Sequence, residues 1–285
     1  LALAGISLTA QAHRGWLLPS TSMVEAREAW VTLDGAISEG LFEFHHMPLR
    51  LDNLTITDPD GVSTAATGAV LGKYRSTIDV RLPKDGTYRL AIVSNNVFGS
   101  YKLNGETKRF RGAEGSPGAQ VPAGATDVET STTHARLETF VSANSLNDTA
   151  LKPGGVGLEL VPVTNPTDLR AGEPIRLRFQ LDGKPLANFP FSMVPGGVKY
   201  RGTLGELRFS TDAKGEASFT VPAPNMYWLS AKYPFDAGAG RPEPGARRYS
   251  YAATLEVLPQ SGAARMRDVL VPHVVDQALP PGGST

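Results

Sequence analysis

Apolar and polar residues alternate over short runs along most of the chain, and glycine, proline and aspartate fall between the runs. Residues 30–33, 41–46, 54–57, 76–82 and 88–94 each carry a period of two, the mark of a strand with one buried face. Between them, Asp58-Pro59-Asp60-Gly61 and Lys84-Asp85-Gly86 supply the residue types that tight turns require. The pattern predicts a meander of hairpins. It lapses over residues 99–133, which fill with small and polar residues and are predicted to form a long loop. Alternation returns over residues 136–141, and a polar stretch, residues 144–155, then leads into the second half.

In that half, Ile175, Leu177, Phe179 and Leu181 recur on one face, and Asp182-Gly183 supplies a hairpin turn. Residues 158–162, 217–221, 227–232 and 251–258 read as further strands, with a turn at residues 211–215. Seven or so short strands in roughly 100 residues suit an immunoglobulin-like sandwich. The expected fold is all-β, two immunoglobulin-like β-sandwich domains in tandem. Residues 13–150 form the first, with its long loop at 99–133, and residues 151–259 the second. Residues 260–285 read as a tail, with a short helix near 264–270.

Composition agrees. The 285 residues include 30 Gly and 22 Pro, a turn-rich content, and 41% hydrophobic residues, enough for packed cores. Lys plus Arg and Asp plus Glu are 28 each, and no block of like charge marks a nucleic-acid partner. Residues 1–10 are apolar and uncharged, and Ala10-Gln11-Ala12 has the small-x-small form of a signal-peptidase site. Residues 1–12 therefore read as the remnant of a secretory signal, and the expected location is the periplasm. No other run reaches the ~18 apolar residues of a membrane span. With no cysteine, a soft-metal site has to use His or Met.

Cleavage after Ala12 would make His13 the first residue, offering an α-amine and a ring nitrogen to one cation, a set suited to copper(II) or nickel(II). If residues 41–46 are a strand, Phe42, Phe44 and His46 share one face, and Glu43, His45 and Met47 the other. His46 is then either a core histidine or, because Pro48 ends the strand, a ligand turned into a cleft at the sandwich rim. His45 reads as a surface residue whose trio with Glu43 and Met47 can also hold a metal. His134 precedes the strand at 136–141 and is a further candidate; His273, in the tail, reads as solvated. Trp16, Trp30 and Trp228 read as core. Asp58-Pro59-Asp60-Gly61 reads as a turn and not a calcium loop, because the other EF-hand ligand positions are missing. No nucleophile elbow, H-E-x-x-H or phosphate loop is present.

The strings AHRGWLLPS (12–20), LFEFHHMPLRLDNLTITDPDG (41–61), DGTYRL (85–90), RLETFVS (136–142) and LELVPVTNPTDLRAGEPIRLRFQLDGKPLA (158–187) resemble the DUF4198 family of exported bacterial proteins. The likeness runs from Ala12 to about Pro259. Its motif positions here are His13, Trp16 and His46. The resemblance implies a periplasmic component of nickel or cobalt uptake. The expected function is thus a non-catalytic, exported metal-binding protein that captures or delivers nickel, cobalt or copper through His13 and His46, with His134 and His45 as further candidates. An envelope metal transporter or receptor is its expected partner. A ligand-free structural or adhesion module of the envelope is the alternative, and a copper histidine-brace oxidoreductase is a third.

Overall fold

The computed structural model describes residues 14–115, 120–236 and 243–260, and these are nearly all β. The first half holds β1 (Arg14–Pro19), β2 (Met23–Val24), β3 (Ala29–Ser38), β4 (Met47–Pro48), β5 (Leu54–Thr57), β6 (Ser63–Ala65), β7 (Val70–Leu71), β8 (Ser76–Leu82), β9 (Gly86–Leu103), β10 (Glu106–Ala113) and β11 (Thr126–Ala143). The second holds β12 (Leu158–Pro162), β13 (Leu169–Arg170), β14 (Ile175–Leu181), β15 (Lys184–Pro185), β16 (Pro190–Pro195), β17 (Leu207–Ser210), β18 (Glu216–Phe219), β19 (Asn225–Tyr233) and β20 (Arg247–Leu258), with one short helix, α1 (Val198–Arg201). The signal remnant, His13, His273 and the tail helix of the sequence reading lie outside the described residues.

Both halves contribute to one central sheet. Its path runs β17-β16-β19-β20-β11-β9-β5-β6, and β11 lies parallel to β20, with Thr132 opposite Arg247 and Thr139 opposite Thr254. Two smaller sheets cover it. One runs β1-β3-β8-β7 with β4 added to β3; the other runs β12-β14-β15 with β18 added to β14.

Strand alternation assigns each cover to its own face. On β11, Leu137, Val141 and Ala143 point into a core with Leu17, Leu33, Val80 and Leu90, whereas Phe140 points into a second core with Phe179, Phe191, Leu229 and Tyr251. Successive residues of a strand face opposite ways, so the two cores lie on opposite faces of β11. A third cluster joins Trp16 of β1 to Val194 of β16, with Trp228 of β19 packed against it. Buried polar groups reinforce the junction. Ser142 Oγ lies 2.8 Å from Thr87 Oγ1 and 2.6 Å from Thr167 Oγ1, and Asn165 Nδ2 donates to Thr87 Oγ1 at 3.0 Å.

The structure departs from the sequence reading in three places. Residues 99–133 do not form one long loop: most of those described extend β9, form β10 and begin β11. Alternation is weak there because β10 is exposed along most of its length, so no core imposes a period. Backbone pairing holds the arm, Phe110 lies over Gly99 where a Cβ would meet its ring, and Lys102 pairs with Asp127 at 2.8 Å. Residues 41–46 are not a strand either. After β3 the chain turns, with Glu43 N–H donating to the Gly40 carbonyl at 3.2 Å and Phe42 at φ 62°. Third, Trp30 is 51% exposed while Trp16 is fully buried, because Trp30 stands on the solvent face of β3.

Asp58-Pro59-Asp60-Gly61 is the turn its residues suggest. Gly61 takes φ 85°, and Asp58 Oδ1 accepts the N–H groups of Asp60 and Val62, each at 3.0 Å. Lys84 Nζ bridges Asp58 and Asp60. Hydrogen bonding from Lys84, helped by the two backbone N–H groups and opposed by desolvation, holds the Asp58 carboxyl below its ordinary range. A depressed carboxylate adds stability above its unfolded pKa, and that contribution disappears as pH falls through the depressed value. Lys84→Ala is expected to move the Asp58 titration upward, toward the ordinary range, in carboxyl-detected NMR; an unchanged titration would contradict the bridge.

Candidate functional site

Three of the four histidines named as ligand candidates fall among the described residues, and they divide into two places. Trp16, on β1, is the anchor of the first. Its ring is packed edge-on by Phe42 at 5.6 Å and Phe44 at 5.2 Å between centroids, and its Nε1 donates to Ser38 Oγ at 3.4 Å. Drawing both phenylalanines onto Trp16 turns the rest of the loop outward, so His45 and His46 are both exposed. The expectation that the phenylalanine side would bury His46 fails because no strand forms there. The two histidines are not constrained to opposite faces.

Around them the rim is polar. Glu43 Oε2 lies 3.7 Å from His45 Nδ1, an ion pair when the ring is protonated and longer than a hydrogen bond. Gly40 sits against both, since a Cβ there would meet Glu43 Oε2 at 2.7 Å and His45 Cε1 at 3.2 Å. Arg14 at the start of β1 pairs with Ser38, and its Nη1 donates to the Glu39 carbonyl at 3.2 Å. The opposite edge of β3 at this end carries β4, with Met47 opposite Ile37. The beginning of β1 and the loop before β4 therefore meet at one end of the first outer sheet. Among the described residues, no three His, Asp or Glu side chains converge as a metal site.

His134 occupies the second place. On β11, it lies between Asn95 of β9 and Tyr249 of β20 in the register. Its Nδ1 is 2.9 Å from Asn95 Oδ1 and 3.7 Å from Glu114 Oε2, and its ring stacks on Tyr249 at 4.8 Å. These neighbours include none of the rim residues.

The sequence reading missed a buried charge cluster at the junction of the halves. Glu138 on β11 is 1% exposed; its Oε1 accepts Arg136 Nη1 at 3.1 Å and lies 3.7 Å from Arg89 Nε, and its Oε2 accepts the Tyr251 hydroxyl at 2.8 Å. Glu159 on β12, also buried, accepts the N–H groups of Gly154 and Gly155 at 2.7 and 2.8 Å and Gln180 Nε2 at 2.8 Å, and lies 3.9 Å from Arg136 Nη2. Burial, then the charge of Glu138 and the hydrogen bond to it, push the Tyr251 phenol well above its usual value. This cluster is architectural: it links β9, β11 and β20 to the second outer sheet. In the sequence, Glu138 reads as the solvent-facing member of an alternating strand, and only the second cover sheet makes it internal.

Fold and rim together define a chain nearly all β in its described residues, with two cores sharing one sheet and exposed histidines at one sheet end. A family model described as a domain of unknown function, DUF4198, matches residues 10–234. The chain belongs to the DUF4198 family. No curated protein matches it. Among solved structures it is similar to the D0-D1 domain of intimin, at 11% identity over 85% of this chain and 97% of that one, with a TM-score of 0.23. It is also similar to trypsin-activated alpha-2-macroglobulin from Escherichia coli, at 12% identity over 85% of this chain and 16% of that one, TM-score 0.22. The elastase-activated form of the same E. coli protein gives 8% identity over 89% and 31%, TM-score 0.21. No function follows from likenesses at this level. Among the described residues, no helix is long and apolar enough to cross a membrane.

Removing one partner of a buried ion pair leaves the other charge without compensation, which costs about 3–5 kcal/mol. Glu138→Ala, stranding Arg89 and Arg136, is expected to lower unfolding stability by about that amount in urea denaturation. Replacing Arg89 and Glu138 together by Met and Leu should cost less than Glu138→Leu alone. Equal losses would show that the pair is not coupled.

Proposed function

We propose that the chain is an exported, non-catalytic metal-binding protein of the cell envelope, which captures or hands over nickel, cobalt or copper to an envelope transporter or receptor. The observation that carries the reading is the meeting of the start of β1 with the loop before β4, where Arg14 contacts Glu39 and where Glu43, His45 and His46 stand. His13 immediately precedes Arg14 in the sequence. This reading takes the His13 ring, and its amine if export cleaves after Ala12, as ligands alongside the rim residues. The ligand set of this reading is His13 and His46, with His45 and Glu43 in support. His134 has neighbours of its own and is left out. The shared sheet with a core on each face is read as two immunoglobulin-like sandwiches joined through β11, a scaffold that holds the rim at one end.

Imidazole, amine and carboxylate donors favour copper(II) and nickel(II) over zinc in the order expected for divalent ions. Protonated imidazole has no lone pair to give, so affinity should fall as pH is lowered and the rings take up protons. Calorimetric titration with nickel, copper and zinc tests this on the protein as exported, on His13→Ala, on His46→Ala, and on a form with one residue added before His13. The exported form is expected to bind most tightly, and the extended form to lose more than His13→Ala, since it displaces the amine from the terminus. Equal binding by all four, or binding by none, would overturn the metal reading in favour of a structural or adhesion module.

A further inference from the structure

A second binding feature lies on the central sheet and requires no metal. Register aligns Ser192, Ser230, Ala252, Leu137 and Ile92 in one row across β16, β19, β20, β11 and β9. Lys232, Ser250 and Ala135 stand in the next row on the same face. All five line an open groove, Leu137 and Ile92 at the end where they also border the first core. Serine and alanine keep its floor low, and a cavity of about 910 Å³ stands above it, within the range of small-molecule sites.

The walls are apolar and aromatic, with Trp228, Phe209, Phe235 and Leu49 among them. Trp228 Nε1 donates to the Gly15 carbonyl at 3.1 Å, which fixes that wall against β1. At the same end the Arg14 guanidinium lies 5.6 Å from the Trp228 ring. Of the three other cations of the lining, Lys232 stands in the second row, and two are neutralised in place: Arg208 by Glu206 at 2.8 Å and Arg136 by Glu138 at 3.1 Å. Arg14 differs. Among the described residues its partners are neutral, the Glu39 carbonyl and the indole ring.

We propose that this groove binds a linear amphipathic carboxylate, an acyl chain laid across the strands with its acid group at Arg14. The aromatic walls and low floor remove the hydrocarbon from water, which drives binding in proportion to the apolar area covered. Four inter-strand steps of about 4.8 Å give the row a length of ~19 Å. An extended chain advancing roughly 1.3 Å per carbon, from C–C bonds near 1.5 Å, covers that with about a dozen to fifteen carbons. Arg14, at the Trp228 wall, supplies the charge complement for one acid group.

The probe is dodecanoate, titrated below its micelle concentration by calorimetry and by Trp fluorescence, in buffer with a chelator so that the result does not depend on metal. Dodecyltrimethylammonium, of equal length and opposite charge, is the control. Dodecanoate is expected to saturate at one per chain and the cation to bind at least about tenfold more weakly, the weight of one charge-assisted hydrogen bond. Arg14→Glu should weaken dodecanoate by about tenfold or more, and Ser230→Phe, which fills the floor, should abolish binding. Far-ultraviolet spectra confirm that both variants fold. Absence of saturable binding by the unaltered protein, equal affinity for the two amphiphiles, or unaltered affinity in both variants would overturn the proposal.

Discussion

Burying Glu138 in a strand that must also bury its neighbours on the other face is the constraint from which the architecture follows. Its carboxylate is out of water, so its charge has to be met by fixed donors, and Arg136, the Tyr251 hydroxyl and the nearby Arg89 provide them. Those groups come from β11, β20 and β9. The three strands are therefore held in one sheet by side-chain electrostatics as well as by their ladders. Glu159 continues the network into the second cover sheet and clamps the N–H groups of Gly154 and Gly155 in the connection between the halves. A network with each acid satisfied specifies one arrangement of these elements; half satisfied, it would penalise every arrangement.

Placing the two covers on opposite faces of one sheet has a geometric consequence. Each cover shields only its own part, so part of each face of the central sheet has to find another partner or remain open. The seam around Trp16, Val194 and Trp228 closes one boundary. Beyond it the serine and alanine rows stay open and form the groove. The histidine rim arises from the same seam at its other side: Trp16 gathers Phe42 and Phe44, and the loop that delivers them turns His45 and His46 outward. Groove and rim are thus two products of how β1 is held against the second half.

Most of the strands were legible because alternation reports burial on one face. Ile175, Leu177 and Phe179 line the second core as their spacing predicts, and Asp182-Gly183 turns with φ values of 49° and 76°. The pattern failed where its physical basis is missing. β10 is exposed along most of its length and carries no period. Residues 41–46 carry a period of two, yet Trp16 collects the phenylalanines from a turn. Sharing of the sheet was hidden because parallel pairing of β11 with β20 joins residues more than 100 positions apart, and each strand taken alone satisfies a separate sandwich equally well. Of the candidate site, the histidines and Glu43 were readable as residue types, but the junction of β1 with the loop before β4 depends on register, which the spacing of residues does not encode.

If β11 makes the two cores one unit, neither cover sheet can open alone to full exposure. Native-state hydrogen exchange, followed against denaturant, measures this directly. The slowest amides of β3 and of β14 are expected to share one opening free energy and one denaturant slope, and both to fall by the same amount in Glu138→Ala. Separate free energies for the two sheets, or a loss confined to one of them, would contradict the shared-sheet account.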